Sequence, residues 1–146
     1  NGPYKDHLWF CVRAGGEDWT GRPTFYFEIG PDYYSYGMGF WAPKAALMEA
    51  YRNAVDEHPE VLEKLVKRFN KQAQFTLSGP EYARKKTAPS PLLAAWYNKK
   101  SINLQHDAAP DERMFSQELA QDIIEGFRTL MPLYKYFDAL CAAEMV

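Results

Sequence analysis

Between Lys64 and Lys100 the chain carries nine basic residues, Lys64, Lys67, Arg68, Lys71, Arg84, Lys85, Lys86, Lys99 and Lys100, against a single acid, Glu81, although the formal charge of all 146 residues is −2. The charge is therefore segregated, and a segregated positive strip sets up a local field that attracts anions. Lys64, Lys67, Arg68 and Lys71 have the spacing of one helical face, so they form a stripe. Phe69, Phe75, Tyr82, Trp96 and Tyr97 are interleaved with these cations, and aromatic faces beside a basic track are what stacks bases along a phosphate backbone. The chemistry this suits is capture of a phosphorylated ligand, a nucleotide or a nucleic-acid backbone. The plainer account is a solvated helix face that offsets an acidic neighbour, such as the last helix with Glu118, Asp122 and Glu125.

A second constellation points to a small-molecule enzyme or ligand pocket. Glu28 lies on an aromatic strand, where desolvation between Tyr and Trp neighbours would raise its pKa. Lys5, Tyr26, Tyr36 and Arg52 would converge with Glu28 beside Gly37 and Gly39, whose missing side chains let a ligand approach the sheet. A third reading is structural: an aromatic sheet face covered by a second copy of the chain or by a preceding segment.

Other chemistries find little support. His7, His58 and His106 sit in no ligand-spaced motif, so no metal is implied. Gly15 and Gly16 lack the helix that follows a phosphate-binding loop, Ser35 and Ser78 lack a nucleophile-elbow context, and no cofactor is expected. Cys11 and Cys141 read as buried thiols rather than a disulfide.

The elements that must position these groups follow from periodicity. Alternation over His7 to Arg13, Thr24 to Ile29 and Tyr33 to Trp41 predicts three strands, joined by turns as an antiparallel meander. Phe25, Phe27 and Ile29 share one face of the second, with Tyr26 and Glu28 on the other. Tyr34, Tyr36, Met38 and Phe40 share a face of the third, and Gly37 and Gly39 opposite them suggest a bulge or a close backbone. Pro43 opens a helix ending near His58, and Pro59 begins another built on Leu62, Leu65, Val66 and Phe69. A short strand is expected at Phe75 to Leu77, a short helix after Pro89 and Pro91, a strand at Ser101 to Gln105 and a loop from Asp107 to Arg113. Ser116 caps a long helix that Pro132 should kink or divide. The fold class is α+β, an aromatic-rich antiparallel sheet with helices packed on it.

The length suits one domain over residues 1–146. No apolar run approaches the roughly 20 residues that span a bilayer, and no signal-peptide layout opens the chain, so a cytoplasmic protein without a membrane partner is expected. The start at Asn1, already heading into a strand, suggests a fragment.

With these segments in place the chain resembles a conserved-hypothetical family of bacteria and fungi, domain of unknown function 2461. The resemblance rests on Pro3, Tyr4 and Lys5 before a strand, the strand Phe25 to Ile29, and Gly37, Gly39, Phe40 and Trp41 with Pro43 and Leu47. Arg52, then Leu77, Ser78 and Gly79, the lysines before Ser101, and Pro132, Leu133 and Tyr134 complete it. It covers the C-terminal two-thirds of the family domain and implies that a helical N-terminal segment is missing. The family has no established activity, so the resemblance implies a fold and no reaction.

Overall fold

The computed structural model describes residues 8–12, 21–114 and 116–144, with the side chains of 8–12 and 144 excepted. Five strands form one antiparallel sheet: β1 (Leu8–Val12), β2 (Thr24–Ile29), β3 (Tyr34–Gly39), β4 (Thr76–Ser78) and β5 (Asn103–Ala108), in the order β1-β2-β3-β5-β4. The α+β class and the meander of the first three strands match the sequence expectation. The last strand runs to Ala108 instead of ending at Gln105, because its partner β3 offers a full edge out to Tyr34. The expected strand ends at His7 and Arg13, and Lys5 with them, lie outside the described residues.

Pairing is one-to-one through Gly37 and Gly39, on the β2 side and on the β5 side alike. The expected bulge is absent there. A Cβ on Gly37 would stand 1.9 Å from the Leu104 carbonyl oxygen, so it is the close approach of the neighbouring strand that excludes a side chain.

Four helices follow the meander: α1 (Ala45–Glu57), α2 (Pro59–Phe69), α3 (Ala94–Tyr97), which continues a 3₁₀ turn at Pro91–Leu93, and α4 (Gln117–Glu144). Pro59 occupies the first turn of α2, where its missing N–H costs nothing. Ser116 accepts the Leu119 N–H at 3.2 Å and so caps α4. Pro132 does not divide that helix, which is continuous from Gln117 to Glu144.

The core lies between one sheet face and α1, α2 and α4. Phe25, Tyr34, Tyr36 and Met38 from the sheet are buried with Leu47, Tyr51 and Val55 of α1, Leu62 and Val66 of α2, and Leu130, Leu133 and Phe137 of α4. Phe25 stacks on Tyr134 with ring centroids 4.9 Å apart and lies 4.7 Å from Phe127. Buried Tyr51 donates its hydroxyl to the Trp96 carbonyl at 2.9 Å, which ties α1 to α3. No described helix is long and apolar enough to cross a membrane.

Candidate functional site

Strand alternation decides which of the sequence candidates can meet. Tyr26 pairs with Gly37 and Glu28 with Ser35, so Tyr26 and Glu28 point away from the helices, while Tyr36 points into them. Tyr26, Glu28, Ser35, Asn103, Gln105 and Asp107 line an open cleft of about 300 Å³ on the helix-free face. Glu28 there accepts the Tyr33 hydroxyl at 2.6 Å, and Asp107 accepts the Gln105 amide at 2.7 Å. Burial raises the pKa of Tyr26, against a hydrogen bond with Ser35. Arg52, on α1, stands over Tyr82 far along the chain from this cleft. The described members of the expected constellation therefore do not converge: Tyr26 and Glu28 share one face, Tyr36 the other, and Arg52 belongs to a third place. Among the described residues no cluster of His, Cys, Asp and Glu could hold a metal ion.

The basic strip divides in two. Lys64, Lys67 and Arg68 are exposed on α2, as their helical spacing implies, whereas exposed Lys71 lies in the turn beyond the end of that helix; Arg68 borders a shallow hollow with Thr129 and Pro132 of α4. The second group is assembled around the end of α3. Asn98, 5% exposed, donates to the carbonyls of Lys86 at 3.1 Å and Ala94 at 3.2 Å and accepts the Lys86 N–H at 2.9 Å. Its own carbonyl accepts the Tyr82 N–H at 3.0 Å. One buried asparagine, through its side chain at Lys86 and its main-chain carbonyl at Tyr82, thus fixes the loop between those two residues against the residues that lead into Lys99 and Lys100.

Lys99 does not belong to the exposed strip. It is 8% exposed, and its ammonium donates to the Gly79 carbonyl at 3.1 Å. Its backbone bridges to Glu81, and Gly79 makes the turn possible with a φ of +127°, a conformation that side chains disfavour. Lys99 is a strut beneath the surface that Lys100 occupies.

Arg52, expected beside Glu28 in a pocket, sits instead with this second basic group. Its guanidinium lies 4.6 Å from the centroid of the Tyr82 ring, and the Lys100 ammonium lies 5.9 Å from the same centroid. Arg52 Nη1 is buried without a hydrogen-bond partner, and neither Arg52 nor Lys100 takes part in an ion pair among the described residues. Nearby Lys85 reaches Glu81 at 3.7 Å, and Tyr97 donates to Asp56 at 3.0 Å. Of the three acidic residues expected on the last helix as a counterpart, Asp122 pairs with Arg113 instead. Two cations on one aromatic ring repel each other, and a guanidinium cannot shed its charge. An anion close to either cation would offset that repulsion.

Tyr82 was singled out in the sequence only as one of several interleaved aromatics. The convergence with Arg52 had no local signal, because the two residues meet through α1 and a loop thirty positions away.

Comparison with known proteins adds a family and no activity. The family model described as conserved hypothetical protein (DUF2461) matches residues 1–136. No curated protein and no solved structure matches the chain.

Proposed function

The chain belongs to the DUF2461 family, and we propose that this member binds a phosphorylated or otherwise multiply charged anion at the cluster of Arg52, Tyr82 and Lys100, flanked by Arg84, Lys85 and Lys86. The observation that carries this is the pair of cations held on the Tyr82 ring without an ion-pair partner, one of them with a buried, unpartnered Nη1. Arg presents a planar fork that matches phosphate oxygens, and Lys adds a point charge. The loop from Tyr82 to Lys86 is fixed by Asn98 before any ligand arrives, so less ordering is needed on binding. The α2 stripe contributes a general field and steers the anion without contacting it.

The test is calorimetric titration with pyrophosphate and with a nucleoside triphosphate at low salt. Lys100→Gln and Arg52→Gln should each weaken binding by roughly ten- to a hundredfold, the loss expected for one charge-assisted contact. A Lys67→Glu, Arg68→Glu double variant should slow association and leave the bound-state contacts alone. No uptake of either anion at low salt would end the proposal. Binding abolished by the α2 reversal but indifferent to Arg52 and Lys100 would move the site to α2.

A further inference from the structure

On the helix side of the sheet, where β3 and β5 run towards the start of α4, lies a hollow of about 280 Å³ lined by Tyr34, Tyr36, Gln74, His106, Arg113, Asp122 and Glu125. It is separate from the Tyr82 cluster and from the open cleft of Glu28. Its volume is near the small end of the range for small-molecule pockets.

Gln74 organises the hollow from both ends. Its backbone carbonyl receives His106 Nδ1 at 2.7 Å, and a carbonyl can only accept, so Nδ1 carries the proton. In the neutral ring Nε2 is then left with its lone pair, and no described residue engages it. The side-chain amide of Gln74 donates to the Tyr36 hydroxyl oxygen at 2.8 Å and to the Asp122 carbonyl at 3.2 Å. Because the Tyr36 oxygen is accepting, its own proton needs a partner, and none of the described residues supplies one. The Tyr36 and His106 ring centroids are 4.9 Å apart, so an idle donor and an idle acceptor sit side by side.

Tyr34 lines the same hollow: its ring is stacked against Tyr36 with centroids 6.5 Å apart, and its hydroxyl meets no hydrogen-bond partner among the described residues, so it is free to meet a ligand. Burial raises the pKa of both tyrosines, so each keeps its proton in neutral solution.

The lining also limits the charge of a ligand. Arg113 is paired with Asp122, so the cation and one of the two carboxylates cancel, leaving Glu125 at the rim. Arg113 keeps one buried donor, Nε, without a partner, but its charge is already matched by Asp122, so the hollow carries no net positive charge to draw an anion. What remains is a set of hydroxyl donors, an imidazole acceptor, an amide and carboxylate oxygens, which is the hydrogen-bonding complement of a ligand rich in hydroxyl groups.

We propose that this hollow is a binding site for a small neutral polyhydroxyl compound, a sugar or polyol, with the Tyr34 and Tyr36 hydroxyls donating to its oxygens and His106 Nε2 accepting one of its hydroxyl protons. Tyr34 and Tyr36 are the specificity-determining donors. His106 is placed to feel the ligand directly, since Nε2 is the ring nitrogen that no described residue holds.

The experiment is NMR titration of the full chain in mildly alkaline buffer, following the His106 ring protons. Glucose and erythritol are the probes, with alanine and succinate as zwitterionic and anionic controls. The expected result is a saturable shift of the His106 resonances by glucose or erythritol and none by the controls. Tyr36→Phe, which deletes only the hydroxyl, should weaken binding roughly threefold to tenfold, and Tyr34→Phe likewise. His106→Gln should abolish the binding detected on Tyr34 and Tyr36 ring signals, and unchanged amide dispersion in each variant separates this from misfolding. No saturable shift with either polyol overturns the proposal. A response to alanine or succinate in their place overturns the assigned ligand class, and pyrophosphate binding by the Tyr36→Phe chain remains as a measure of the other site.

Discussion

Asn98 and Lys86 hold each other by two opposed hydrogen bonds, the Lys86 N–H donating to Asn98 Oδ1 at 2.9 Å and Asn98 Nδ2 donating to the Lys86 carbonyl at 3.1 Å. A buried side-chain amide here does the job of a paired strand. It gives an otherwise irregular loop a fixed address beside Lys100.

Removing that amide should therefore act on stability and binding together. Asn98→Ala leaves the Lys86 N–H and the Ala94 carbonyl without their partner and should cost about 1–3 kcal/mol by denaturant unfolding. Limited proteolysis with a basic-specific protease should then open first among Arg84, Lys85 and Lys86, and pyrophosphate affinity should fall with it. An Asn98→Ala chain as resistant as the parent would mean that the loop is held by something else.

The long helix offers a graded test of burial. Leu130 is 0% exposed and Phe137 2% exposed, whereas Phe127 is only half-buried. Leu130→Ala should cost about 2–5 kcal/mol and Phe137→Ala about 3–5 kcal/mol, with Phe127→Ala the mildest of the three. Equal losses at Phe127 and Phe137 would contradict the placement of the helix on the sheet.

Gly37 tests the strand contact. An added Cβ would collide with a backbone oxygen of β5 that cannot rotate away, so Gly37→Ala should destabilise by about 1–3 kcal/mol or more. Gly39→Ala should be better tolerated, because its nearest obstacle is the Asn103 side chain. Thermal unfolding of the two variants, compared side by side, checks the order.

The chain should lose stability in alkali. Burial pushes the Cys141 thiol from 9.0 up to about 11, and burial likewise pushes the Tyr136 hydroxyl from 10.0 up to about 12. Both folded-state values are raised, so the unfolded chain releases these protons first and gains from rising pH. The stabilisation is complete below about pH 9 and is lost progressively as pH climbs through the folded values. Tm should be flat up to about pH 9 and fall beyond it, and Cys141→Ala should shrink the early part of that fall.

Several of these features could be read in advance and others could not. Alternation in Thr24 to Ile29 and Tyr33 to Trp41 was enough to place the strands and to separate Phe25 from Tyr26, because period two is local information. Pro59 and Ser116 marked the starts of α2 and α4 for the same reason. Gly37 and Gly39 fit a bulge or a close backbone equally well in the sequence, because only the neighbouring strand, more than sixty residues later, decides for the close backbone. Lys99 looked like one more surface cation, since nothing in a run of lysines says which ammonium will find a carbonyl. The group around Gln74, His106 and Tyr36 has no local signal, because its members come from the loop before β4, from β5 and from β3, which only the folded sheet brings together.

The strand order has a consequence for how the chain is made. β5 lies between β3 and β4, so the second-to-last position of the sheet is filled by the strand that leaves the ribosome last. Until Asn103–Ala108 emerge, β3 presents a naked edge and the three-residue β4 has nothing to pair with. From the completion of β3 until β5 emerges, the nascent protein carries a sticky, aromatic half-sheet, and helices α1 and α2 are available in that interval to shelter only one of its faces. Any truncation ahead of Asn103 should be aggregation-prone for that reason, whatever its fate as a binding protein.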